Sequence, residues 1–198
     1  MEGKFADRFR IKSGRLKNWD YSNSGIYFVT ICTLNHNKFF GKIENNGLIY
    51  SQKGMLAYKC LINIPIHFEN IKLIDYVIMP NHVHILLEFN DIFIKEKGRN
   101  VVNKSRDVIG KSRDVINHVS TKTEKMQEKC PMKKFNLGTV IRWYKAKATK
   151  EIRDKNLFFA WQSRYYDEII FDQKRLKQVV NYIKNNPKNW EKDKLFLK

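Results

Sequence analysis

The stretch that most restricts what this chain can fold into is Met79-Pro80-Asn81-His82-Val83-His84-Ile85-Leu86-Leu87-Glu88-Phe89. A Pro-Asn turn followed by a run of Val, Ile, Leu and Phe predicts a turn feeding a buried strand. Side chains alternate between the two faces of a strand. His82 and His84 therefore share one face, while Val83, Ile85, Leu87 and Phe89 share the other. Two imidazoles about 7 Å apart along a strand can converge on one divalent ion. Taken alone, the pair reads at least as readily as ordinary sheet histidines.

The rest of the chain supplies a sheet for that strand. Residues 25–34 are dense in β-branched and aromatic side chains and predict a first strand. Residues 71–79 predict a second, which turns at Pro80-Asn81 into the histidine strand, giving an antiparallel hairpin expected at the centre of the sheet. Asn45-Asn46-Gly47 is a hairpin turn between two short apolar pieces, 39–43 and 48–50. Ser51 caps a short helix carrying Met55, Leu56, Leu61 and Ile62, which Pro65 closes. From Gly138 onward, Val140, Ile141, Tyr144, Ala148 and Ile152 recur at helical spacing, with Arg142, Lys145, Lys147 and Lys150 on the remaining faces. Residues 158–162 and 165–170 form a last strand region. Asp172 caps a final helix with Leu176, Val179, Val180 and Ile183 as its apolar stripe, and Pro187 ends it. Such an order suits an α+β fold in which helices cover a sheet.

A length of 198 residues favours a single domain, 1–198. Between about residues 90 and 137 the periodicity fails, and Lys104-Ser105-Arg106-Asp107-Val108-Ile109 is repeated at once as Lys111-Ser112-Arg113-Asp114-Val115-Ile116. This segment reads as a basic insertion. Lys and Arg number 38 against 20 Asp and Glu, a net charge of +18, and residues 91–150 alone hold 16 basic against 6 acidic side chains. An excess of that size concentrates polyanions at the surface and points to nucleic acid. Cys32, Cys60 and Cys130 are odd in number and far apart, which suits reduced thiols rather than disulfides or a zinc cluster. No apolar run is long enough to span a bilayer and the first residues lack a signal peptide's apolar core, so the expectation is a cytoplasmic protein without a membrane partner.

The final helix supplies what the histidine pair lacks. Tyr182 and Asn186 lie four apart and stack on one helical face. If that face meets the histidine strand, Asn186 offers a carboxamide oxygen as third ligand and Tyr182 places a phenol beside the metal. An N,N,O site with open positions suits Mg²⁺ or Mn²⁺ holding a phosphate, and a tyrosine oxygen is an apt nucleophile toward it. Tyr144 is the rival nucleophile, but Ala148 stands where a ligand would be needed.

Four segments in this order resemble the single-tyrosine transposases of the HUH superfamily, most of all the REP-associated tyrosine transposases. They are Met79-Pro80-Asn81-His82-Val83-His84, Tyr144-Lys145-Ala146-Lys147-Ala148-Thr149-Lys150, Trp161-Gln162-Ser163-Arg164-Tyr165-Tyr166-Asp167-Glu168, and Tyr182-Ile183-Lys184-Asn185-Asn186-Pro187. The resemblance implies a ferredoxin-like (RRM-like) fold with a central antiparallel sheet. It further implies a metal-dependent endonuclease and strand transferase acting in DNA transposition on single-stranded DNA beside hairpins. His82, His84 and Asn186 would be the ligands of Mg²⁺ or Mn²⁺, and Tyr182 the nucleophile that forms a 5′-phosphotyrosine. Arg142, Lys145, Lys147, Lys150 and Arg164 are candidates for phosphate contacts. Monomer and homodimer both fit. The competing reading is a non-catalytic module that grips DNA or RNA hairpins with structural histidines. His36, His67 and His118 lack evident partners in the sequence and read as structural.

Overall fold

Strict alternation in the strands builds a sheet with two different faces. The computed structural model describes residues 4–5, 8–9, 16, 19–90 and 136–196. Nearly all of the expected insertion, with its duplication, Cys130 and His118, lies outside the described residues. A short ladder pairs β1 (Lys4–Phe5) with β2 (Arg8–Phe9). The main sheet contains β3 (Gly25–Cys32), β6 (Ile71–Met79), β7 (His82–Phe89) and β8 (Tyr166–Ile170) in the order β6-β7-β3-β8, every neighbour antiparallel. With α1 (Gln52–Ile62) between β3 and β6 and α3 (Leu137–Arg153) between β7 and β8, this is the split βαβ arrangement of a ferredoxin-like fold. The hairpin of β6 and β7 forms as the sequence predicts, but only β7 is central. β6 lies at an edge, because β3 pairs with the far side of β7.

Local signals account for most element boundaries. A separate ribbon of β4 (Gly41–Glu44) and β5 (Gly47–Tyr50) turns at Asn45 and Asn46, whose φ values of 50° and 61° suit a type I′ turn. Ser51 Oγ accepts the Gly54 amide at 3.0 Å and caps α1. That helix ends at Ile62, and Pro65 falls inside the short α2 (Ile64–His67), in the first turn, where its missing N–H has no partner to lose. Asn136 caps α3 through Thr139, and Asp172 caps α4 (Gln173–Asn185) through Arg175, its Oδ1 accepting the amide at 2.8 Å. Residues 158–162 do not form a strand; a single bridge joins Trp161 to Thr33.

One face of the sheet presents Tyr27, Val29, Ile31, Val83, Ile85, Leu87 and Phe89, and α1 and α3 cover it with Ala57, Leu61, Val140, Ile141, Tyr144, Ala148 and Ile152. Each large side chain fully buried there contributes about 1.5–3 kcal/mol. The opposite face presents Phe28, Leu86 and Ile170, and α4 covers it with Val179 and Ile183. Val179, Tyr182, Ile183 and Asn186 recur at helical spacing, so packing the apolar pair carries the polar pair onto the sheet as well.

Candidate metal and nucleophile site

His82 and His84 project from β7 toward α4, and both are buried, at 0% and 2% exposure. Their Nε2 atoms face each other at 3.1 Å. Each ring is held from behind. The Asn81 carboxamide donates to the Leu195 carbonyl at 2.7 Å, which leaves its oxygen to accept from His82 Nδ1 at 2.8 Å. His82 therefore carries its proton on Nδ1 and a lone pair on Nε2, the orientation a metal ligand requires. Thr30 lies directly across from His84 on β3, and its Oγ1 is 2.8 Å from His84 Nδ1. Burial keeps both imidazoles neutral. His82 is pushed down to about 3 by burial and then by His36, and His84 to about 3 by burial and then by His82, against the opposing pull of Asp193.

From α4, the Tyr182 hydroxyl reaches within 3.2 Å of His84 Nε2 while its ring remains partly exposed, and the phenol stands edge-on to Phe28. Its pKa is raised, first by burial and then by Asp193, while a hydrogen bond with Asn186 pulls the other way. Asn186 is 3% exposed, its Nδ2 donates to Asp193 Oδ2 at 3.2 Å, and its Oδ1 is buried without a hydrogen-bond partner. All of these atoms come from one chain, so Tyr182 and the histidines meet without a second subunit.

Sequence reasoning missed Asp193. The 3-10 segment Pro187–Lys192 follows α4, and its Trp190 packs near His82, which turns the chain so that Asp193 enters the site. Ligand atoms of His82, His84 and Asp193 all lie within 4.8 Å of one another. Asp193 Oδ2 also accepts from the Tyr182 hydroxyl at 3.4 Å, and Oδ1 accepts the Leu195 amide at 2.7 Å. Two neutral imidazoles, a carboxylate and a carboxamide oxygen short of a donor fit a divalent cation. The only sequence signal for Asp193 was an acid a few residues beyond a proline that stops the last helix.

The group opens into a cleft of about 1370 Å³ lined by Phe28, Thr30, Cys32, His36, Arg164 and Tyr166 together with His84, Tyr182, Asn186 and Asp193. Of the five basic residues singled out in the sequence, Arg164 lines it. Lys145 donates to the Gln162 carbonyl at 2.5 Å, and burial lowers its pKa. Lys147 pairs with Glu151 and Lys150 with Asp154 along α3, and Arg142 is exposed on the same helix. Those three do not line the cleft, whereas Arg175, Lys192 and Lys194 do. Tyr144 is fully buried on the opposite face, its hydroxyl 3.4 Å from the Ala57 carbonyl.

The sheet order is that of a ferredoxin-like fold, which the chain shares with a solved transposase structure. The structure of a REP-associated tyrosine transposase bound to a REP hairpin aligns with 90% of this chain and 74% of its own, at a TM-score of 0.51 and 13% identity. No protein-family model matches the chain. A Haemophilus influenzae protein described as uncharacterized is 32% identical over 187 residues, which cover 94% of this chain and 93% of that protein. The chain belongs to the family of that Haemophilus protein.

Proposed function

We propose that this protein is a metal-dependent endonuclease and strand transferase acting on single-stranded DNA next to hairpins, a transposase working through a 5′-phosphotyrosine. The observation that carries the reading is the Tyr182 hydroxyl, 3.2 Å from His84 Nε2 and within reach of Asp193, at the mouth of an open cleft. His82, His84, Asp193 and Asn186 would hold Mg²⁺ or Mn²⁺, which when bound offsets charge on the phosphoryl oxygens. Tyr182 Oη attacks phosphorus and gives up its proton, with Asp193 Oδ2, 3.4 Å away, as the carboxylate that accepts it while His84 Nε2 is kept for the cation. The P–O3′ bond breaks, the 5′ side stays on the tyrosine, and the 3′-oxygen leaves with a proton as a hydroxyl. Attack by another 3′-hydroxyl reverses these bonds and joins a new strand. Arg164, Lys192 and Lys194 line the cleft and supply positive charge for the backbone, while Arg175 is held in a bidentate pair with Glu168.

The test is incubation with hairpin-flanked single-stranded oligonucleotides and Mn²⁺, followed by denaturing electrophoresis for a covalent adduct. Wild type is expected to form one. Hairpin binding with no adduct would move the reading to a non-catalytic binding module.

A further inference from the structure

His36 is the residue near the site that the proposed reaction leaves unused, and three independent observations converge on it. Its backbone is left-handed, with φ 54°, and it follows Asn35 at φ 52°. Asparagine and histidine enter that region more readily than most residues, but two in succession persist only where the surroundings impose them. Here the surroundings do. Thr33 Oγ1 donates to the carbonyls of Asn37 at 2.7 Å and Asn81 at 2.9 Å, the Leu34 amide donates to Ala160, and the His36 amide donates back to Thr33. The turn is thus tied to the residue before His82.

The second observation is the ring's hydrogen bonding. Among the described residues, His36 Nδ1 and Asn186 Oδ1 are buried side-chain atoms without a partner. A bare lone pair is cheaper to bury than an unpaired N–H, so the neutral ring places its proton on Nε2. The third is location. His36 lines the same cleft as Tyr182, His84 and Asp193, close enough to His82 to contribute to the depression of that imidazole. The turn thus places in the cleft wall an imidazole whose side chain has no hydrogen-bond partner among the described residues.

We infer that His36 is a DNA-positioning residue whose imidazole N–H donates to one backbone phosphate of single-stranded DNA lying in the cleft. The inference rests on the proposed function for the identity of the ligand. A neutral donor suits a phosphate held beside a cation, since it orients the oxygen without adding further charge.

Anisotropy titrations of a labelled hairpin-flanked oligonucleotide in EDTA test this, using a series in which one linkage at a time is a neutral methylphosphonate. Wild type is expected to lose affinity at one linkage near the hairpin. His36→Leu should bind the unmodified oligonucleotide about tenfold more weakly and lose the sensitivity to that one linkage. His36→Gln, which keeps a donor at the reach of Nε2, should retain most of both. His36→Gly relaxes the left-handed turn, so its melting temperature should be unchanged or higher while binding falls as in His36→Leu. An unaltered linkage profile in His36→Leu, or wild-type binding by His36→Gly, overturns the inference, and so does a wild type that binds none of the oligonucleotides. Adduct formation on wild type is scored separately. An adduct with unaffected His36→Leu sinks this inference alone, and linkage-specific binding without an adduct sinks only the nicking reaction.

Discussion

The two faces of the sheet are built from the same strands to opposite ends. Toward α1 and α3, every inward residue of β3 and β7 is apolar and the helices close over them, even burying the Tyr144 ring. Toward α4, the apolar contact shrinks to Phe28, Leu86, Ile170, Val179 and Ile183, and the adjoining positions hold Thr30, His82, His84 and Asn186. A shift of one residue along a strand changes the face. The first face therefore sets stability and register, and the second uses that rigidity to hold polar groups where water is scarce.

The comparison can be broken most sharply at Tyr182. Tyr182→Phe removes one oxygen from the polar face, and adduct formation should fall by about 10³-fold or more in the electrophoretic assay while hairpin affinity and melting temperature hold. Acid should next separate the faces. In the metal-free protein His82 and His84 stay neutral down to about 3, whereas in the unfolded chain they take protons below about 6.5. Stability is thus complete above about pH 6.5 and declines as pH falls toward 3, by up to about 1.4 kcal/mol per unit for each histidine. Urea melts at pH 7 and 5 would show it, and a flat profile would contradict it. Cavities should also cost unequally. Ile85→Ala on the helix-covered face should destabilise by about 3 kcal/mol, and Val179→Ala on the other by about 1–2 kcal/mol, in urea melts. Asn81→Ala frees the His82 ring, and Mn²⁺ affinity measured by calorimetry should drop about 10–100-fold. The smallest effect belongs to Asp172→Ala, which uncaps α4 at a cost of about 1 kcal/mol.

What could be read in the sequence was what is local. The Asn45-Asn46 turn, the caps at Ser51 and Asp172, and the alternation that puts His82 opposite Val83 depend on a few neighbouring residues. The meeting of Tyr182 and Asn186 with the histidines was legible as a condition, because helical spacing fixed one pair and strand spacing the other. Sheet order was not, since the placement of β6 at an edge depends on β3 returning to pair with β7. Nor was Asp193, whose place is set by Trp190 packing near His82. The turn at His36 was not legible for a related reason. This left-handed turn is imposed by hydrogen bonds from Thr33 to Asn37 and Asn81, the latter far away in the chain. The lysines of α3 read as one basic surface, but Lys147 and Lys150 are already matched by acids one turn on.

The tail that delivers Asp193 also imposes an order of events. Asn81 grips the Leu195 carbonyl, and Phe196 closes edge-on against Trp190, so the site is finished by nearly the last described residues. A chain still on the ribosome has its histidine strand long before it has this clasp. A site built in this way acquires its acidic group only once the strands of the sheet beneath it have been made.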